Sequence, residues 1–255
     1  MKVRILGCGT SSGVPRIGND WGKCNPAEPR NRRTRVSILI SHDGTNILVD
    51  TGPDLREQLL AGDIHTIDAV IWTHDHADHC HGIDDLRQLY HVYQRPIEGY
   101  AREATLVSLR ERFAYVFDGS QAGYPDIAAG HLLPDEMEIG GIRIRTVDQP
   151  HGPITSAGLR FEADGYSIGY STDFSDLTPE METQFQDIDI WIVDALRRRP
   201  HPTHPHLART IEWVARVRAR RAILTHMDNS MDYRTLLAEL PPGIEPGFDG
   251  LEAAP

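Results

Sequence analysis

Four side chains able to bind a metal ion crowd into six residues: His74, His76, Asp78 and His79, in the run His74-Asp75-His76-Ala77-Asp78-His79. Imidazole and carboxylate together suit zinc, iron or manganese. In an extended turn His74 and His76 project to one side and can share an ion. Asp78 and His79 then fall to a neighbouring position, while Asp75 alternates away. The other reading is a polar surface loop that happens to be rich in histidine, but the cluster follows directly on a buried strand. Histidine is also in excess along the whole chain, 13 in 255 residues. Further His, Asp or Gly residues follow strand ends at 50–52, 148–151, 173, 194 and 226. Loops at strand ends commonly gather ligands from distant parts of a chain.

The elements that must position these residues are short. Val3–Leu6 reads as a strand, followed by a Gly/Ser loop from Gly7 to Pro15. Arg35–Ile40 and Asn46–Val49 form a hairpin around Asp43-Gly44. Asp54 is placed as the N-cap of a helix over Leu55–Ala61. Asp68–Trp72 is a continuous apolar strand that ends at Thr73. A helix runs from near Ile83 through Tyr90, and another over Glu103–Phe113. Strands follow at Glu136–Ile139, Ile142–Val147, Ala157–Glu162, Tyr166–Ser171 and Ile188–Val193. His206–Arg218 has helical spacing, with Leu207, Ile211, Val214 and Val217 on one face. Ala222–Leu224 is a last core strand and Tyr233–Glu239 a short helix. Together they predict one α/β domain, a sheet sandwich covered by helices.

The bulk numbers exclude several classes. A length of 255 residues fits one domain with a full core. Hydrophobic residues at 40% and charged residues at 25% are an ordinary soluble balance. No run of about 18 apolar residues offers a membrane span. The opening apolar run has no signal peptide before it, and Cys8, Cys24 and Cys80 form no CxxC pair, so a cytoplasmic, reducing location is expected. Cys80, inside the histidine cluster, reads as a small buried residue. The formal net charge of −11 does not suit a long polyanionic partner.

The run HxHxDH, followed by distant single His, Asp and His residues, resembles the metallo-β-lactamase superfamily over nearly the whole chain. Asp50 in Leu48-Val49-Asp50-Thr51-Gly52 resembles the family's first motif, which orients the histidine loop. His151 in Gln149-Pro150-His151-Gly152, Asp173 in Tyr170-Ser171-Thr172-Asp173 and His226 in Leu224-Thr225-His226 resemble its later motifs. The resemblance implies an αββα sandwich of two mixed sheets flanked by helices. It also implies two divalent ions, Zn²⁺ or Mn²⁺. One would be held by His74, His76 and His151, the other by Asp78, His79 and His226, with Asp173 bridging. Two such ions about 3.5–4 Å apart activate water and clamp the oxygens of an in-line displacement.

The flanks resemble the PhnP-like phosphodiesterases, relatives of ribonuclease Z. These flanks are Gly7-Cys8-Gly9-Thr10-Ser11-Ser12-Gly13-Val14-Pro15, Asn31-Arg32-Arg33-Thr34-Arg35, Gly82-Ile83-Asp84-Asp85-Leu86-Arg87 and Gly247-Phe248-Asp249-Gly250-Leu251-Glu252. A small cyclic or nucleotide-like phosphodiester is the substrate this implies, and a homodimer is the assembly. Some members hold a structural zinc with clustered cysteines near residues 20–31 and a histidine three residues after the last ligand. Here Cys24 stands alone and that position is Asn229, so no structural zinc is expected.

A general acid must protonate the leaving oxygen. The candidates are His201, His204 and His206, and His204 in Thr203-His204 matches the family position best. Asp78 is the second catalytic candidate, as base or orienter of the attacking water. Ser11 and Ser12 offer backbone amides to a phosphate, or the glycines beside them only permit a tight turn. For Arg32, Arg33 and Arg35 an ion pair with an acid such as Asp84 or Asp85 is preferred over a phosphate contact. Three rivals stand beside the phosphodiesterase. A ribonuclease Z would need a basic arm, and Tyr90–His131 has none. A thioester or lactam hydrolase fits the Asp173 and Thr203-His204 elements less well. A metal-free binding subunit would not keep all seven ligand positions filled.

Overall fold

The chain alternates apolar faces along each early strand, and the alternation sets two cores. The computed structural model describes residues 1–119 and 125–254. Its first strands are β1 (Lys2–Gly7), β2 (Ser37–His42) and β3 (Thr45–Val49). Asp43 and Gly44 both have positive φ, +46° and +85°, the backbone that a two-residue hairpin turn of matching twist requires. Ile38, Ile40, Ile47 and Val49 point to one face of the sheet, and Leu39 and Leu48 to the other.

After β3 come α1 (Leu55–Ala61), β4 (Ala69–Trp72), α2 (Ala77–Cys80), α3 (Leu86–Tyr93), β5 (Ile97–Ala101), α4 (Glu103–Arg112), α5 (Ala114–Phe117) and β6 (Ala128–Leu132). The second half holds β7 (Glu136–Ile139), β8 (Ile142–His151), β9 (Ile154–Ala163), β10 (Tyr166–Ser171), α6 (Pro179–Phe185), β11 (Ile190–Asp194), α7 (Leu207–Val217), β12 (Arg221–Thr225), α8 (Tyr233–Glu239), β13 (Ile244–Pro246) and β14 (Glu252–Ala253). Two seven-stranded mixed sheets result, in the orders β14-β1-β2-β3-β4-β5-β6 and β13-β12-β11-β10-β9-β8-β7.

The inner core joins the two sheets through residues such as Ile38, Ile47, Ile144, Phe161, Ile168, Ile192 and Leu224. An outer core seats α1, α3 and α4 on the first sheet through Leu48, Val70, Trp72, Leu55, Leu86 and Leu106. On the far side Trp213 stacks on Phe174 and Phe185 on Trp191, which fastens α7 and α6 to the second sheet. The layers run helix, sheet, sheet, helix. Each fully buried aliphatic side chain contributes about 1.5–3 kcal/mol to this packing. Strands β3 to β6 are parallel to one another, as are β10 to β13, so their C-terminal ends open on common edges.

Several elements differ from the sequence reading. Strands β5 and β6 are not evident in the sequence, because Pro96 just before one and Gly99 within it, and Gly130 within the other, mask the strand pattern. β8 and β9 are longer than expected and pair through His151 and Ile154. Helix α1 starts after Asp54, but that side chain does not cap it. Asp54 Oδ2 instead accepts from the Arg35 amide at 2.8 Å and pairs with Arg35 Nε at 2.9 Å. A charged partner outcompetes a first-turn amide. The Arg35 partner is therefore Asp54, not Asp84 or Asp85; Asp84 pairs with Arg87. Arg32 lies over the Trp21 ring. Residues 120–124, within the stretch read as having no basic arm, lie outside the described residues. Among the described residues no helix is long and apolar enough to cross a membrane.

Candidate metal centre

Asp50, at the end of β3, organises the histidine run. Its Oδ1 accepts from the Thr73 amide at 2.8 Å and its Oδ2 from Thr73 Oγ1 at 2.9 Å. His79 Nδ1 lies 2.7 Å from Asp50 Oδ2, so the ring donates there and presents Nε2 to the other side. Thr73 Oγ1 lies 3.1 Å from His74 Nδ1, which again leaves Nε2 facing inward. The single turn of α2 swings Asp78 and His79 round. That turn needs backbones in contact: a Cβ on Gly82 would sit 2.0 Å from the Gly52 carbonyl oxygen, and one on Gly52 2.4 Å from that of Asp78. His151, at the end of β8, donates from Nδ1 to the Thr203 carbonyl at 3.1 Å.

Asp173 lies between two groups of donors. Its Oδ2 is 3.7 Å from His74 Nε2 and 3.6 Å from His151 Nε2. Its Oδ1 is 3.3 Å from His79 Nε2 and 3.4 Å from His226 Nε2. Asp78 Oδ2 is 3.5 Å from both of those nitrogens. His76 Nδ1 approaches His151 Nε2 to 3.3 Å. The seven side chains thus form two sets, His74/His76/His151 and Asp78/His79/His226, with one Asp173 oxygen turned to each.

The donor set fits a pair of divalent ions. The Nε2 atoms of His74, His79 and His226 are buried and make no hydrogen bond. Buried polar atoms are rarely left so. Donors placed tetrahedrally about 2.0–2.1 Å from one ion stand about 3.4 Å apart, near the spacings found here. The charges agree. Burial alone would raise the Asp173 carboxyl, yet the imidazoles of His226, His79 and His74 hold it well below the ordinary carboxylate range. Burial opposes charge on His226, but Asp173, Asp194 and Asp78 push it up to about 9. His79 rises as well, against burial, through Asp173, Asp78 and Asp50. His74, whose ring centroid is 4.1 Å from that of His79, is pushed down by burial and by His79. Buried carboxylates that draw protons onto their neighbours are a place for cations.

The sequence marks one further residue of the centre only as a strand end. Asp194, fully buried at the end of β11, accepts from the Asp173 amide at 3.1 Å and from His204 Nδ1 at 2.7 Å. His204 then turns Nε2 to the centre, 3.8 Å from Asp173 Oδ2. Its ring stacks on His226 at 4.8 Å and meets His151 and His201 edge-on. Arg197 fixes this loop by donating to the carbonyls of Arg199 and Pro200. His201 Nδ1 accepts from the Thr203 amide, and His206 sits at the cap of α7 without a capping side-chain bond.

Asp50, Asp173 and His226 all hold left-handed φ, +66°, +53° and +56°. Such backbone costs on the order of 1–3 kcal/mol for a residue other than glycine and collects at functional sites. The centre opens to solvent beside the exposed His76, Ala77, Gly152 and Pro153. Asp75 points away, to Ser108 and Arg112. Cys80 is buried behind the turn, its thiol pushed up to about 12 by burial. Ser11 and Ser12 are exposed on a turn closed by Gly13 N–H to the Thr10 carbonyl, with Gly13 at φ +64°.

A sandwich of this layer order with this donor set defines a class, and the chain belongs to the β-lactamase superfamily: residues 45–227 match the model of the β-lactamase superfamily domain. Among solved structures it is similar to a diphosphatase of the PhnP family, with a TM-score of 0.90 and 34% identity over 99% of this chain and 96% of that one. It is 33% identical, over 99% of its length, to the octanoyltransferase of Porphyromonas gingivalis, and it spans about half (51%) of that protein. The ribonuclease Z of Methanopyrus kandleri is 28% identical over 49% of this chain and 43% of that protein.

Proposed function

We propose that the protein is a two-metal hydrolase that cleaves phosphodiester or diphosphate bonds in small, nucleotide-like substrates. The observation that supports this best is Asp173, one oxygen turned to each donor set, with the Asp194–His204 pair beside it. The similarity to a PhnP-family diphosphatase favours a phosphorus centre. The charge of −11 favours a small substrate over a long nucleic acid.

In this reading His74, His76 and His151 hold one ion, Asp78, His79 and His226 the other, and Asp173 both. When bound, the ions supply Lewis acidity and water activated near neutral pH. The chain does the rest. Asp50 and the Thr203 carbonyl fix the ring orientation of His79 and His151. Asp78, held ionised by His79 and His226 despite its burial, orients the attacking water. His204 gives its Nε2 proton to the leaving oxygen as the P–O bond breaks, and regains one from solvent. Asp194, across 2.7 Å, keeps the ring oriented and stabilises its charged form.

The partial match to ribonuclease Z supports a second reading, a tRNA 3′ endonuclease. Metal-loaded protein should be assayed on bis(p-nitrophenyl) phosphate, cyclic nucleotides, ribose cyclic phosphates and dinucleoside diphosphates, with Mn²⁺ or Zn²⁺. Turnover of any of these small substrates that chelator abolishes is expected. A metal-loaded protein inert on all of them, but able to trim a tRNA precursor, would replace the first reading with the second.

A further inference from the structure

Arg33 is 2% exposed and pairs with no carboxylate among the described residues. A buried guanidinium without a counter-ion is costly unless its N–H groups are satisfied. Most of them are used here, chiefly on one loop: Nη2 donates to the Met231 carbonyl at 2.7 Å and Nη1 to the Asp228 carbonyl at 3.5 Å, while Asn31 Oδ1 at 3.5 Å and Cys24 Sγ at 3.9 Å lie on the facing side and Nε has no partner among the described residues. The backbone of Arg33 is itself held, bonded both ways to Val14. Around the guanidinium two loops close on each other. The Lys23 amide donates to the Asn229 carbonyl at 2.7 Å, Asn31 Nδ2 to Asp232 at 2.7 Å, and the Tyr233 amide to Asn31 Oδ1 at 2.7 Å.

A structural metal at this place, as the resemblance allows, does not fit. Cys24 is the only thiol there, residue 229 is an asparagine, and a fixed positive charge already lies beside the sulfur. Burial pushes the Cys24 thiol up, away from the thiolate that a metal needs. The braced loop begins two residues after His226, whose left-handed backbone must be held by its surroundings.

We propose that Arg33 is a positioning residue for His226: its guanidinium takes the place of a bound structural cation and braces the 228–231 loop, so that the Asp78/His79/His226 position is preformed. The inference rests on the two-metal reading of the centre. Fixed supporting groups of this kind are worth about 10–100-fold in metal affinity.

The test is the release of metal from loaded, full-length protein into a chelating dye, for wild type, Arg33→Met, Arg33→Lys and a core control, Leu48→Ala, in the other sheet. Wild type should release two ions in two phases. Arg33→Met should speed one phase about 10–100-fold and leave the other near wild type, and Arg33→Lys, which keeps one cationic donor, should fall between. Leu48→Ala should lower the melting temperature without separating the phases. If Arg33→Met does not fold, Arg33→Lys carries the comparison alone. Arg33 variants that release both ions at the wild-type rate, or speed both phases alike, would overturn the inference. A wild type that binds no metal would instead overturn the reading of the centre.

Discussion

Replacing Asp194 by Asn separates a carboxylate that supports a proton donor from one that merely fills space. The substitution keeps shape and removes charge from a fully buried side chain that faces His204 Nδ1 at 2.7 Å. A hydrogen bond to a charged group is worth about 1.5–3 kcal/mol and a neutral one about 0.5–1.5, so the charged form of His204 loses about 1–1.5 kcal/mol. That is a rate loss of about tenfold. His204→Ala should cost more, about 10²–10⁴-fold, because the donor itself is gone. The double variant should be no slower than His204→Ala, since Asp194 acts through that ring. Steady-state kcat on two substrates gives the sharpest reading. p-Nitrophenolate leaves with little help from an acid, whereas a ribose alkoxide needs its proton. The His204→Ala loss should therefore be small on bis(p-nitrophenyl) phosphate and large on a ribose cyclic phosphate, with metal content unchanged. Equal losses on both substrates, a multiplicative double variant or a missing metal ion would each refute the role assigned to His204.

Asp173→Ala removes the one side chain shared by both donor sets, so metal analysis should show fewer than two ions and activity at background. Asp50→Ala leaves the Thr73 amide and the His79 ring without their acceptor. It should weaken metal binding about 10–100-fold, read by competition with a chelator. Away from the centre, burial pushes the Asp249 carboxyl from its usual 3.8 up to about 6, although the Thr34 and Cys8 amides oppose it. A carboxyl that holds its proton more tightly folded than unfolded makes stability fall as pH rises from about 4 to 6 and level off above. At 1.36 kcal/mol per pH unit the fall is about 3 kcal/mol. Urea denaturation across that range should show it in wild type and lose it in Asp249→Asn.

Which side chains gather at the centre was legible because the donors announce themselves. HxHxDH sits directly behind an apolar strand, and His151, Asp173 and His226 each follow a strand end. The order of strands and helices along the chain points to a sheet sandwich covered by helices, and the resemblance supplies the αββα layer order. What stayed hidden depends on contacts between distant residues. Nothing near Asp194 shows that a loop ten residues on returns His204 to it. Arg33 lies in an arginine-rich stretch that reads as pairing with an acid such as Asp84 or Asp85, whereas the approach of the 228–231 loop buries it against carbonyls instead. Asp54 occupies a capping position by spacing, but its partner Arg35 comes from 19 residues earlier and from a neighbouring strand end.

The division of the sheets has a consequence for how the molecule comes together. Apart from β14, one sheet is drawn from residues 2–132 and the other from 136–246, joined by the three residues Leu133–Asp135. Neither lobe owns a complete donor set: His74, His76, Asp78 and His79 belong to the first, and His151, Asp173 and His226 to the second. A metal ion at this centre would be a clasp between lobes as well as a reagent. At a free concentration a thousandfold above its dissociation constant it would add about 4 kcal/mol to their union. Two fragments cut at that joint would then recombine more tightly with metal than without it, which makes reassembly itself a gauge of metal binding that needs no substrate.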